Sequence, residues 1–393
     1  MHALVIGGGV AGAAAAIALR RAGLDATIYE RHPDVADDVG LFLTFAGNGM
    51  DALRVLGAAE PVEAAAFPTP RMVMRSGTGR VLGRMAHGAE GATSRTIRRA
   101  DLYRALRDEA VRRGVPVEYG KSLVGVEQTP DGVRARFADG SEAQGDLLVG
   151  CDGLHSLTRT VIDPDAPAPR YVPVLNTGGY ARGVEVDAEP GTFTMVFGKR
   201  AFFGYVPAPN GEVWWFANPP YPTPPTAAEL AEIATGDAWR QRLLDLFAGD
   251  RSPAVALIEA STNPMTGWAT YDLRAVPNWY RGRVVLAGDA AHATAPSSGQ
   301  GASMAIEDAV VLAKCLRDLP DVADAFATYV ALRRPRVERV VAAGARTSSM
   351  KAAGPVGRVL RDAMMPVFLR LASRSMNNDW MYRYHVDWDT PAA

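Results

Sequence analysis

The apolar run from His2 to Ile6 leads into Gly7-Gly8-Gly9-Val10-Ala11-Gly12, and that junction narrows the fold of this chain more than any other feature. The glycines fall on the three positions of GxGxxG. A helix of small residues should follow to about Arg21, and a second apolar run, Ala26 to Tyr29, ends on Glu30. Strand, glycine turn and helix in this order build a βαβ unit whose backbone can approach a pyrophosphate and whose helix N-terminus favours negative charge. A carboxylate roughly 20 residues further on can accept both hydroxyls of a ribose. A lone GxGxxG is weak evidence; this one follows a strand, opens a helix and has its acid at the expected distance. The fold class expected is α/β, with a Rossmann-like nucleotide domain.

A second segment, Gly288 to Ala309 (GDAAHATAPSSGQGASMAIEDA), points to the same site. The run Val284-Val285-Leu286-Ala287 reads as a buried strand that delivers Asp289 to its carboxyl end, where open α/β sheets bind ligands. A helical pattern starts near Gly299, and its free N–H groups would face a ligand and favour negative charge there. A third segment, Asp146 to Arg159 (DLLVGCDGLHSLTR), places a sharp Asp152-Gly153 turn after the strand Leu147–Val149.

These segments, in this order, resemble the flavoprotein monooxygenases related to p-hydroxybenzoate hydroxylase. The resemblance implies a GxGxxG-type FAD-binding domain with an inserted β-sheet substrate domain and C-terminal helices. It assigns FAD contacts to Gly7, Gly9, Val10, Ala11, Gly12, Glu30, Arg31, Arg99, Leu123, Asp152, Asp289, Gly299, Gly301 and Ala302. Arg99 enters through the weaker match Ile97-Arg98-Arg99-Ala100-Asp101-Leu102. Asp152, Gly153, Ser156 and Arg159 fall on a motif tied to both FAD and NAD(P)H, and Pro296 falls on a proline close to the flavin. Ser303 departs from the Asn that many relatives carry after GQG. The reaction implied uses FAD, NADPH or NADH as co-substrate, and O2. One oxygen atom is inserted through a flavin C4a-hydroperoxide, hydroxylating an aromatic or polycyclic, secondary-metabolite-like substrate. Epoxidation or Baeyer–Villiger insertion is the alternative on the same scaffold, as is a non-catalytic FAD-binding partner. A halogenase is disfavoured, because Trp214 to Pro219 lacks the WxWxIP pattern.

The chain divides by pattern into a discontinuous FAD-binding domain (1–70, 91–170, 277–350), a substrate-binding β-sheet domain (71–90, 171–276) and a C-terminal helical segment (351–393). Pro164, Pro167, Pro169 and Pro173 read as a linker. Strands are expected at Gly178–Val186, Thr192–Phe197, Ala201–Val206 and Glu212–Ala217. Their aromatics suit a lining that shields a reactive flavin from water. Alternation along a strand sends only half of them to any one face. Phe203 with Tyr205 is one phase and Phe202 with Gly204 the other; Phe203, Tyr205, Trp215 and Pro296 are the substrate contacts expected. Arg182, Lys199 and Arg200 are the cations open to a carboxylate. His292 and His155 read as structural or cofactor-adjacent, and no certain catalytic base emerges.

The formal charge of −1 gives no global field for nucleic acid or membrane. Cys151 and Cys315 offer no disulfide framework and no zinc spacing, so no metal is expected. A nucleotide fold that begins near residue 4 leaves no room for a signal peptide, and the cytoplasm is the default compartment. The partner expected is a small-molecule substrate, with the protein a monomer or homodimer. Arg333 to Arg374 holds ten Lys/Arg against Glu338 and Asp362. That reads as a solvated basic face on packed helices, with docking of an acidic partner as the sharper alternative. Met364 to Leu369 would cap the pocket or form a dimer contact.

Overall fold

The computed structural model describes residues 1–393 except 35–39, 90, 236, 264, 274, 294–298, 352–356, 358–359, 367–378 and 393. A six-stranded sheet runs in the spatial order Val117–Glu118, Asp25–Tyr29, His2–Ile6, Leu147–Gly150, Val284–Leu286, Tyr280–Arg281. All are parallel except Tyr280–Arg281, which pairs antiparallel at one edge. Central parallel strands are covered on both faces, so their sequences read as unbroken apolar runs. Leu4, Val5, Leu147, Leu148, Val284 and Val285 accordingly have no exposed surface. The Val10–Arg21 helix is rich in alanine, which lets it lie tightly against the Gly301–Asp318 helix. From His2–Ile6 the chain builds outward in both directions. Strand order therefore reverses between His2–Ile6 and Leu147–Gly150, and the carboxyl ends there frame the crevice in which such sheets hold ligands.

A second, seven-stranded sheet has the order Trp268–Asp272, Arg170–Ala181, Val213–Asn218, Phe202–Pro207, Thr192–Phe197, Arg71–Ser76, Val81–Ala86. The early hairpin joins it through Arg71–Ser76, which pairs parallel with Thr192–Phe197. Helices Asp237–Phe247 and Ala254–Glu259 cover one face of this sheet with Trp239, Leu243, Phe247 and Leu257. The expected linker is partly strand, because Arg170–Ala181 begins inside the proline-rich stretch. The ladder shifts register between Val172 and Leu175, so Pro173 sits where its missing N–H breaks no regular pair. Hairpin turns at Asp131-Gly132 and Asp139-Gly140 connect Leu123–Thr129, Gly132–Phe137 and Glu142–Gly145.

Between the two sheets lies a small one, made of Phe42–Phe45, Arg95–Arg98 and Phe67–Pro68. The Val322–Lys351 helix runs through Pro335. Residues 360–366 are helical, and a C-terminal strap, 379–392, packs on helices Val10–Arg21 and Gly301–Asp318, where Trp388 lies by Arg21 and Arg317. Of the expected apolar cap, Met365 packs with Phe197 and Phe202, and 367–369 lie outside the described residues. No helix among the described residues is long and apolar enough to cross a membrane.

Candidate functional site

The glycine turn sorts its own residues by function. Gly7 has φ +100°, and a Cβ there would meet the Cys151 carbonyl oxygen at 2.5 Å, so the first loop is pressed onto the end of Leu147–Gly150. A Cβ on Gly12 would stand 1.8 Å from the Gly7 carbonyl oxygen. Gly9 is different: its φ is an ordinary −72°, and nothing lies within 4 Å of where its Cβ would be. The helix that starts at Val10-Ala11 has no side-chain cap and no acidic residue in its first turn, which leaves its positive end open. Glu30 stands beside this turn, accepting hydrogen bonds from the Gly8 N–H (2.6 Å) and the His32 N–H (2.9 Å). Arg31 is exposed next to it. Leu123 follows closely, because the Lys121 N–H donates to the Glu30 carbonyl at 2.8 Å.

The other segments converge on the same crevice. Gly288 has φ +63°, and its missing Cβ makes room for the Ala11 methyl, so the strand end that carries exposed Asp289 abuts the first helix. Asp152 turns back to cap the next helix, accepting from Ser156 Oγ (2.5 Å) and from the Thr158 N–H (2.9 Å). Arg159 is buried and donates to the carbonyls of Ala290 (3.0 Å) and Leu154 (2.8 Å), tying the Asp152-Gly153 turn to the segment after Asp289. Gly299 is exposed with φ +60° and open space around its Cβ position. The helix from Gly301 and Ala302 again has no side-chain cap and no acid in its first turn. Arg99 is exposed, anchored by its N–H to Leu41 O and by Nε to the Tyr103 hydroxyl. Pro296 lies outside the described residues.

Behind these loops lies a buried ionic network. His292 Nε2 meets Asp308 Oδ2 at 2.5 Å, and Asp308 Oδ1 accepts from Arg333 Nε at 2.7 Å. Glu307 pairs with Arg333 (2.7 Å) and, through both oxygens, with Arg336 (2.7 and 2.8 Å). Asn48 donates to Glu307 Oε1 (2.6 Å) and to Oε1 of Gln300 (2.9 Å), the residue just before the Gly301–Asp318 helix. Burial alone would strip the proton from His292, yet the Asp308 carboxylate outweighs it and raises its pKa. Burial likewise opposes the charge on Asp308, but His292 and Arg333 hold it down at about 2. The basic run is therefore not a uniformly solvated face. Arg333 is wholly buried, Arg336 nearly so, and Arg339 lies 3.8 Å over the Trp380 ring. The sequence signal was the Glu307-Asp308 pair, whose partners sit a long helix away.

The aromatic sheet requires a correction. Phe203, Tyr205 and Trp215 point to the helix-covered face, not toward the nucleotide sheet. All three are buried, with Phe203 stacked on Trp215 (5.3 Å), edge-on to Phe247 (5.1 Å), and Trp215 Nε1 donating to Ser261 Oγ (2.7 Å). The other phase, with Phe202 and Gly204, turns away from those helices, on the face that meets the small sheet. There Phe42 meets Trp214 (5.6 Å) and Phe216 (6.2 Å), and Met195, Phe202 and Met365 complete the face. A Cβ on Gly204 would stand 2.4 Å from Phe216, whose ring occupies that notch. Asn218 donates to Asn176 on the same face. Burial pushes the Tyr180 phenol up to about 12, which keeps it neutral. Arg98 stacks on Tyr180 (4.5 Å) but is paired with buried Glu212 (3.0 Å), which Arg182 also engages (2.8 Å). Lys199 and Arg200 donate to the carbonyls of Gly249 and Asp245 at the opposite side. Of the three cations open to a carboxylate, Arg182 is thus already engaged by Glu212, and Lys199 and Arg200 are directed to the other side.

The crevice suits FAD on its own geometry. A cradle at Gly9 that a side chain would fill, two uncapped helix N-termini, and carboxylates at Glu30 and Asp289 match a pyrophosphate flanked by hydroxylated chains. Residues 1–344 match the FAD binding domain family. The FAD-dependent urate hydroxylase of Klebsiella pneumoniae is 35% identical over 348 residues, spanning 87% of this chain and 88% of its own length. The aurachin C monooxygenase/isomerase of Stigmatella aurantiaca is 35% identical over 355 residues, with the same shares. The structure of Klebsiella pneumoniae HpxO complexed with FAD and uric acid superposes with a TM-score of 0.84 at 29% identity, covering 95% of each chain. The chain belongs to the FAD-binding-domain family of flavin-dependent monooxygenases.

Proposed function

We propose that this protein uses FAD, NAD(P)H and O2 to hydroxylate a neutral aromatic or polycyclic molecule seated between the two sheets. The observation that carries the substrate class is the face formed by Met195, Phe202, Trp214 and Phe216, where the nearby arginine, Arg98, is already paired with Glu212. An anionic substrate would need an available cation, whereas a flat apolar ring needs only area and shape. The six-stranded sheet with its helices serves as the FAD-binding unit and the seven-stranded sheet as the substrate unit.

When bound, FAD supplies hydride acceptance from NAD(P)H and activation of O2 for insertion of one oxygen atom. The chain's residues hold and shield that chemistry. The turn at Gly7, Gly9 and Gly12 and the N-terminus at Val10-Ala11 would take the pyrophosphate, Glu30 the ribose, and Asp289 a ribityl hydroxyl. The amides of Gly301 and Ala302 would stabilise negative charge at the pyrimidine end of the ring. The apolar face excludes water, which favours oxygen transfer over loss as peroxide.

Purified protein recorded anaerobically should show a flavin band that bleaches on NADPH or NADH and returns with air, and labelled O2 should place one atom in the product. Protein that neither copurifies with nor takes up FAD would end this reading. Asp289→Ala should raise the FAD dissociation constant roughly tenfold, the effect of ~1.4 kcal/mol from one lost charge-assisted hydrogen bond. Unchanged flavin content after dialysis would remove Asp289 from the cofactor site.

A further inference from the structure

We propose that the C-terminal strap, 379–392, is a positioning element for FAD, acting on the Gly301 helix N-terminus through Arg336, Glu307 and Asn48. The inference rests on the reading that this N-terminus faces the flavin.

The path is continuous, half-buried at the strap and fully buried from Glu307 to Asn48 and Gln300. Tyr384 lies 3.8 Å from the Arg336 guanidinium, and the strap's Trp380 and Met381 carbonyls accept from Arg336 Nη1 (2.8 Å) and Nη2 (3.0 Å). One side of Arg336 is thus held by the strap, and its other donors grip both oxygens of Glu307. A guanidinium is rigid and planar, so fixing one edge fixes the direction of the other. Glu307 Oε1 then orients the Asn48 amide, whose nitrogen also donates to Gln300 Oε1. Gln300 is the cap residue of the helix, with almost no exposed surface. A second tie reaches the same place: His385 Nδ1 meets Asp51 at 2.7 Å, one turn along the Gly47–Leu56 helix from Asn48.

The rest of the strap is tied down independently of this path. Trp388 lies between Arg21 (5.1 Å) and Arg317 (4.6 Å), and Lys314 donates to Asp387 O. Removing the Tyr384 ring therefore takes a packing face from Arg336, and a more distant one from Arg333 (5.6 Å), while the strap and its carbonyl bonds to Arg336 stay in place. The strap also lies beyond residues 1–344, the part that matches the family. Glu307 keeps Arg333 as a second partner, so the coupling should be partial rather than all-or-none.

The test is a double-mutant cycle on the dissociation constant of FAD from apoprotein, read by flavin fluorescence, with visible circular dichroism of the bound flavin as a second readout. Tyr384→Ala and Gln300→Met should each weaken FAD several-fold, Tyr384→Phe should match wild type, and the double variant should be weaker than either single variant but clearly less weakened than the product of the two effects. Threefold or greater non-additivity supports the coupling. Additive effects, or a Tyr384→Ala protein with unchanged affinity, overturn it. Unchanged affinity in Gln300→Met would instead remove the reading that this N-terminus faces the flavin. If Gln300→Met does not fold, Asn48→Ser replaces it in the cycle.

Discussion

Arg333→Met should destabilise the protein by about 3–5 kcal/mol, because it leaves two buried carboxylates short of their common cation. Asp308 would keep His292 and the Gly288 N–H, and Glu307 only Arg336 and the Asn48 amide. A loss of this size consumes a large part of the ~5–15 kcal/mol that folds a domain. Urea denaturation of holoenzyme and apoprotein measures it, and a shift below about 1 kcal/mol would show that Arg336 suffices. The same network sets a pH window in the wild type. Asp308 contributes stability that is complete above its ordinary value of 3.8 and is lost as pH falls through about 2. His292, with its pKa raised above 6.5, contributes stability that is complete below that value and is lost as pH rises through the higher folded value. The network is thus at full strength between those limits. His292→Gln should flatten the alkaline decline and also shrink the acid limb, because Asp308 would then have only Arg333 as a charged partner to hold its pKa down.

What the sequence made legible was local. The glycine turn, the Gly288-Asp289 strand end and the Asp152-Gly153 turn each encode their geometry within a few residues, through a glycine that must take positive φ or a short side chain that caps a helix. Alternation also showed that Phe202 and Phe203 must face opposite ways. It could not say which face the nucleotide sheet would cover, since that depends on Phe42 and on helices Asp237–Phe247 and Ala254–Glu259, distant in the chain. The ionic network was hidden for the same reason. Arg333 and Arg336 look like neighbours in a basic run until the Val322–Lys351 helix sets them against Glu307 and Asp308. Long-range electrostatics leaves no periodic trace, so charge counting took buried arginines for solvated ones.

Gly9→Ala and Gly12→Ala should separate cofactor binding from folding. Both positions belong to one turn, yet their surroundings differ. At Gly12 the added methyl meets the Gly7 carbonyl oxygen at 1.8 Å, and a backbone atom pinned against Cys151 has nowhere to go. The first helix must lift off its strand, at a cost of ~3 kcal/mol or more for overpacking a fixed core. Apoprotein and holoenzyme should both lose stability. At Gly9 the backbone is already in a conformation alanine adopts, and the methyl meets nothing within 4 Å. Apoprotein stability should stay within about 0.5 kcal/mol of wild type, the usual range for a substitution that touches no neighbour. FAD affinity should nonetheless fall by at least about tenfold, ~1.4 kcal/mol, because the methyl fills the space where the backbone must approach a pyrophosphate. Thermal unfolding of apoprotein together with FAD titration reads both quantities. Gly9→Ala protein that binds FAD normally would place the pyrophosphate elsewhere. Gly9→Ala apoprotein as unstable as Gly12→Ala would mean that the open space serves the fold rather than the ligand.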